Sequence, residues 1–81
     1  MATTKISEGP PFAAIQKLYD YGAGTSVLYE GWAQPGVVTS APLWAIRKYV
    51  YSGSNLSQEQ WADGNTNMDN VWDNRTGLIY A

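Results

Sequence analysis

The chain has 81 residues, with five Lys or Arg, seven Asp or Glu, no His and no Cys, for a net charge of −2. That length holds one domain and not two, and the lack of Cys excludes disulfides and thiolate metal sites. The cations Lys5, Lys17, Arg47, Lys48 and Arg75 are scattered and do not make the basic face that nucleic acid requires; nor does any run approach the ~20 apolar residues of a membrane span.

So short a chain buries only about 60–65% of the surface its unfolded form exposes. Large side chains must therefore supply the core, and four Trp, six Tyr and one Phe are present to do so. Residues 1–12 begin with polar residues and end in Gly9-Pro10-Pro11, a composition that resists regular structure and predicts an extended N-terminal arm. Free termini are poorly ordered unless held, so this arm docks either on another chain or on its own domain. It has no apolar segment of signal-peptide type, which predicts synthesis in the cytoplasm.

The compact domain is expected over residues 13–81. Ile15 to Tyr21 reads as a strand running into the turn Gly22-Ala-Gly24, and Ser26 to Ala33 alternates as its hairpin partner. Gln34-Pro35-Gly36 is the clearest turn, because Pro presets the second turn position and Gly accepts positive φ at the third. Pro42 marks a break or an edge. Leu43 to Tyr51 is the strongest strand, with Trp44, Ile46 and Val50 on one face and Ala45, Arg47, Tyr49 and Tyr51 on the other; Lys48 falls among the apolar set and must snorkel. Ser52 to Asn55 reads as a loop, followed by a short strand near Ser57–Ala62 and a turn at Asp63-Gly64-Asn65. Met68, Val71, Trp72 and Arg75 then follow helical spacing and predict a short helix near residues 67–75, capped by Thr66 or Asn67. Gly77 stops it, and Leu78-Ile79-Tyr80 closes the chain as a strand. The expected fold is mostly β: an antiparallel sheet or sandwich with one short helix and an arm. Its predicted core is Trp44, Ile46, Val50, Trp61, Val71 and Trp72.

Catalytic chemistry finds little to work with. Without His or Cys there is no imidazole base and no imidazole-activated or thiolate nucleophile. Asp63, Asp69 and Asp73 are better explained by turn formation and capping than by paired acid–base work. The stretch from Asp63 to Asp69 has oxygen side chains at alternate positions, but a calcium loop starting at Asp63 needs Gly at position 68 and Glu at 74, where the chain has Met68 and Asn74. The expectation is therefore a non-enzymatic protein that needs no cofactor, metal or small-molecule substrate. Interface cores favour aromatics and Arg, so Pro10, Pro11 and Phe12 in the arm, with Trp32, Tyr49 and Tyr51 in the domain, are the candidate protein-contact residues.

An ordered set of segments runs through residues 19–81: Tyr29-Glu-Gly-Trp-Ala33, Pro35-Gly36, Trp44-Ala-Ile46-Arg47, Trp61-Ala-Asp-Gly64, Val71-Trp-Asp-Asn-Arg75 and Leu78-Ile-Tyr80. In these the chain resembles short uncharacterised virion-associated proteins of tailed bacteriophages. The resemblance implies a virion structural protein, either a head decoration or cement protein or a minor tail or adaptor component. Its partners would be other virion proteins or copies of itself. The alternative reading of the aromatics is a small ligand-binding module, with carbohydrate as its ligand.

Overall fold

Period-two alternation punctuated by glycine turns favours a meander, and the structure, a computed structural model, describes it over residues 15–81. β1 (Gln16–Asp20), β2 (Tyr29–Ala33), β3 (Pro42–Ser52) and β4 (Asn55–Trp61) lie side by side in chain order, each antiparallel to the next. A fifth strand, β5 (Asn70–Val71), pairs with the beginning of β3, and a 3-10 helix follows at Trp72–Gly77. The fold is thus mostly β and antiparallel, as expected, and it is one five-stranded sheet rather than a sandwich. The arm, with Pro10, Pro11 and Phe12, lies outside the described residues.

Turn chemistry sets the register. The Val37 N–H donates to the Gln34 carbonyl at 3.2 Å across Pro35-Gly36, and Gly36 takes φ +88°, which glycine adopts without steric cost. The Gln16 amide braces this turn by donating to the carbonyls of Gln34 and Val37. At the β3–β4 hairpin Ser52 pairs directly with Asn55, so the loop is only Gly53-Ser54 and β4 starts two residues earlier than the sequence predicts. Pro42 does not break the chain there; it opens β3, a position where its missing N–H is tolerated.

One face of the sheet carries the core. Ala33, Trp44, Ile46, Ala62 and Trp72 are buried together, and Leu18, Tyr29, Val37, Leu78 and Tyr80 pack against them. Gly31 decides how closely this layer approaches. A Cβ there would lie 2.6 Å from Cε3 of Trp72 and 3.1 Å from Cε3 of Trp44, so the bare backbone of β2 is what lets the two indoles settle on it, 5.9 Å apart. The Trp44 indole N–H donates to the Val38 carbonyl at 3.0 Å, which satisfies its polar edge. Arg75 stacks its guanidinium 4.6 Å from the Trp72 ring and donates from Nε to Asp20 at 2.7 Å, tying the helix back to β1.

Three expectations are corrected. The helix does not span residues 67–75. Asn65 accepts the Asn67 N–H in a local turn, Asn70 and Val71 join the sheet beside Trp44 and Pro42, and only then does a 3-10 helix begin, with Val71 at its N-cap and no side-chain cap. Trp61 pairs with Arg47, which places it on the opposite face, half-buried and outside the core cluster. Val50 and Val71 are also only half-buried: Lys48 already reaches over the Tyr80 ring and Val50 lies one alternate position farther along β3, while Val71 is in the short strand at the sheet margin. The terminal segment makes a single bridge, Tyr80 to Ala62, with Trp61 and Ala81 exchanging backbone hydrogen bonds.

Two substitutions should show how this core is held. Trp44→Ala should lower unfolding free energy by about 3–5 kcal/mol, and Gly31→Ala by about 1–3 kcal/mol because the new methyl displaces Trp72. Urea denaturation of the two variants beside the parent chain measures both.

Candidate functional site

Side chains on the second face alternate with those of the core. From β1 come Lys17 and Tyr19, from β2 Glu30 and Trp32, from β3 Ala45, Arg47 and Tyr49, and from β4 Glu59 and Trp61. The register lines up Tyr19, Glu30, Arg47 and Trp61 as one row across four strands, and Lys17, Trp32 and Ala45 as the next. Directly opposed or diagonal side chains on a sheet touch, so a row of this kind forces acid, cation and aromatic into one cluster.

Glu30 is its centre. It is 4% exposed and accepts hydrogen bonds from Lys17 at 3.0 Å, from Arg47 at 3.1 Å and from the Tyr49 hydroxyl. Burial pushes its pKa up, but the hydrogen bonds from Tyr49, Lys17 and Arg47 outweigh this and hold it below the usual carboxylate range. A buried carboxylate survives only with such partners. Burial and the bond to Glu30 push the Tyr49 hydroxyl up to about 12, and the bond to Glu30 raises Lys17. Arg47 also pairs with Glu59 at 2.9 Å.

Arg47 meanwhile serves the aromatics. Its guanidinium carbon lies 5.0 Å from the Trp32 ring centre, 5.1 Å from that of Tyr49 and 5.2 Å from that of Trp61, while the two indoles lie 5.3 Å apart. The Arg47 Nε has no hydrogen-bond partner among the described residues, so ring faces supply part of this cation's stabilisation. Lys17 sits 5.5 Å from both Trp32 and Tyr19.

Beside the stack, Trp32 and Trp61 line a cleft of about 310 Å³, with Ala45, Ile15, Thr66 and Met68 as its other lining residues. Met68 and Trp72, which the sequence places on one helical stripe, therefore serve opposite faces of the sheet. Outside the cleft, Tyr19 on this face and Tyr21 and Leu28 in the β1–β2 connection are exposed. Among the described residues no group of His, Cys, Asp or Glu is arranged to hold a metal ion, and no helix is long and apolar enough to cross a membrane.

The candidate contact residues thus divide. Trp32 and Tyr49 meet in one cluster. Tyr51 follows a register shift after Val50 and donates its hydroxyl to the Val27 carbonyl at 2.7 Å, so it braces the loop before β2. All three are half-buried. Lys17, Glu30 and Trp61 join the cluster without having been singled out for it. One sequence signal does point to Glu30: it is the lone acid in a five-residue apolar strand, Tyr29–Ala33. Compared with known proteins, the chain matches no family model, and no curated protein or solved structure is significantly similar to it.

Acid should dissolve this cluster first. Because Glu30 titrates lower in the folded than in the unfolded chain, its stabilisation is present above about pH 4.3, the ordinary carboxyl value, and is lost as pH falls through the depressed folded value. Asp20, held down by the Gly22 N–H and by Arg75, acts in the same direction. Glu30→Gln should therefore make stability less steep between about pH 5 and 2, without flattening it fully, as read from urea midpoints across that range. Glu30→Ala should cost more, about 2–3 kcal/mol at neutral pH, since it strands Arg47 and Lys17, whose partial exposure softens the penalty.

Proposed function

We propose that the chain is a non-enzymatic structural component of a bacteriophage virion, a head decoration or cement protein or a minor tail or adaptor part, which acts by protein–protein contact. The observation that best supports this reading is the second sheet face. It offers Trp32, Trp61, Tyr49 and Arg47 in one patch, edged by exposed Tyr19, Tyr21 and Leu28. This is the residue chemistry that interface centres favour, and apolar surface rimmed by charge marks contact sites. The internal clamp on Arg47 also suits assembly, because a prearranged patch loses little side-chain freedom on docking. Among the described residues β1 and β4 end the four-strand path, and β4 before Trp61, whose outer side is bonded to Ala81, offers an edge for strand addition by neighbours. Many copies in a particle would turn weak single contacts into firm attachment.

Carbohydrate binding fits the same face less well. Sugars need free ring faces and directed hydrogen bonds, whereas Arg47 and Lys17 already stack near Trp32. Among the described residues Thr66 supplies the cleft's one non-aromatic polar side chain.

Quantitative mass spectrometry of particles purified from cells carrying the coding sequence tests the proposal. The chain should co-purify with the major particle proteins at a fixed copy ratio, and its absence from particles would refute the virion role. The double variant Tyr19→Glu, Leu28→Glu should fold normally, since both residues are exposed, yet lower that copy ratio at least several-fold.

A further inference from the structure

We infer that the outer edge of β4 pairs with the same edge of a second copy, antiparallel and about a two-fold axis, so that two chains share one continuous sheet. The backbone shows where that edge is open. Ala62 donates inward to the Ile46 carbonyl at 2.9 Å, whereas Trp61 exchanges hydrogen bonds outward with Ala81 at 2.9 and 3.1 Å. Alternation along a strand turns the Glu59 N–H and carbonyl outward as well. The Asp63 N–H donates to the Ile79 carbonyl at 2.8 Å, so the tail covers this edge from Asp63 to Trp61. Among the described residues no backbone group bonds to the outer side of β4 before Trp61, which leaves residues 55–60 open.

The composition of this edge selects a copy of the chain as its partner. Edges that avoid pairing carry charge, Lys above all, or Pro. β1, at the other end of the path, has Lys17. β4 has no Lys, Arg or Pro, and its single charge, Glu59, is paired with Arg47 of its own chain at 2.9 Å. A two-fold contact lays a surface against itself, so it suits an edge with no free charge to repel its own image. An antiparallel ladder is also its own complement, since each edge presents the donors and acceptors that the other needs. With the axis through the middle of residues 55–60, the two open stretches overlap fully and each Ala81 lies just beyond one end of the junction. The junction withdraws exposed Leu56 from water, and Gln58 and Gln60 bring neutral amides to it.

The axis relating two antiparallel neighbours stands perpendicular to their sheet, so both second faces emerge on the same side. The Trp32–Arg47–Trp61 stacks of the two copies then stand side by side, and the edge contact leaves that face open to a further partner. Two patches on one rigid body bind more firmly than either alone. The dimer does not depend on a particle; only this use of it rests on the assembly role proposed above. A contact confined to residues 55–60, with a register shift opposite Val50 and Tyr51, buries less than the ~1,200 Å² of a stable complex. Its dissociation constant should therefore be on the order of 0.1 mM.

Sedimentation and amide hydrogen exchange of the full-length chain test the assignment. Between about 10 μM and about 1 mM, which bracket such a constant, the apparent mass should rise toward that of a dimer. Over the same range the Glu59 amide should exchange at least several-fold more slowly, while the Trp61 amide, bonded to Ala81, keeps one rate. The double variant Leu56→Lys, Gln58→Lys sets cations on two exposed positions of the edge and should fold normally yet stay monomeric. Tyr19→Glu, Leu28→Glu, which alters the second face instead, should dimerise as the parent chain does. A parent chain still monomeric at about 1 mM overturns the inference. So does a dimer that survives the two lysines, or one that is lost in Tyr19→Glu, Leu28→Glu, because the copies would then meet by their faces. None of these readouts involves particles, so the dimer and the virion role fail independently.

Discussion

The approach of Trp72 to the bare backbone of Gly31 is the contact on which the remainder of the structure depends. A single antiparallel sheet leaves one face to be covered, and the described residues include no second sheet and no long helix to cover it. It lays the Trp72–Gly77 turn and the Leu78–Tyr80 tail against the sheet instead. That thin cover becomes a core only because the two large indoles, Trp44 from the sheet and Trp72 from the cover, can interlock at close range. With a side chain at residue 31 the Trp72 ring would have to move, and the cover with it. Arg75 links this contact to the sheet edge by stacking on Trp72 and pairing with Asp20. The Tyr80 hydroxyl donates to the Arg75 carbonyl at 2.7 Å, so the tail is secured through the same residue.

The two faces solve opposite problems. The core face is apolar and closed by packing. The second face holds a carboxylate that is almost fully buried, kept ionised by Lys17, Arg47 and Tyr49. Buried ion pairs of this type are weak contributors to stability but strict about geometry. Here the geometry they enforce is the placement of Arg47 between Trp32, Tyr49 and Trp61. An aromatic face stacked on a fixed cation is rigid before any partner arrives. That rigidity is joined to exposed Tyr19, Tyr21 and Leu28, and it is the physical basis on which the proposed contact role rests.

Several features could be read directly from residues. The hairpin partners on either side of Gly22-Ala-Gly24, the turn at Pro35-Gly36, the two-face division of Trp44 and Ile46 from Ala45, Arg47 and Tyr49, and the mostly β character all follow from local rules, because turn preferences and period-two alternation are encoded within a few neighbouring residues. The C-terminal quarter was misread for a related reason. Met68, Val71, Trp72 and Arg75 have helical spacing, but the backbone of Trp44 and Pro42 recruits Asn70 and Val71 into the sheet, and a nonlocal ladder outweighs a weak local helix signal.

The sequence by itself determined a small chain without imidazole or thiol chemistry, its first four strands, its main turns and the faces of its longest strand. Tertiary structure alone decided that Trp61 joins Trp32 on the second face and that Glu30 is buried there. The sequence groups Trp61, as a partly buried member, in one core with Trp44, whereas pairing with Arg47 puts it on the other side. Glu30 looked like an ordinary strand acid until the four-strand register surrounded it with Lys17, Arg47 and Tyr49. The reason is physical: a one-residue change in register moves every side chain of a strand to the opposite face. Register between strands is set by contacts distant in the chain, so the face a residue occupies cannot be read from that residue's own neighbours.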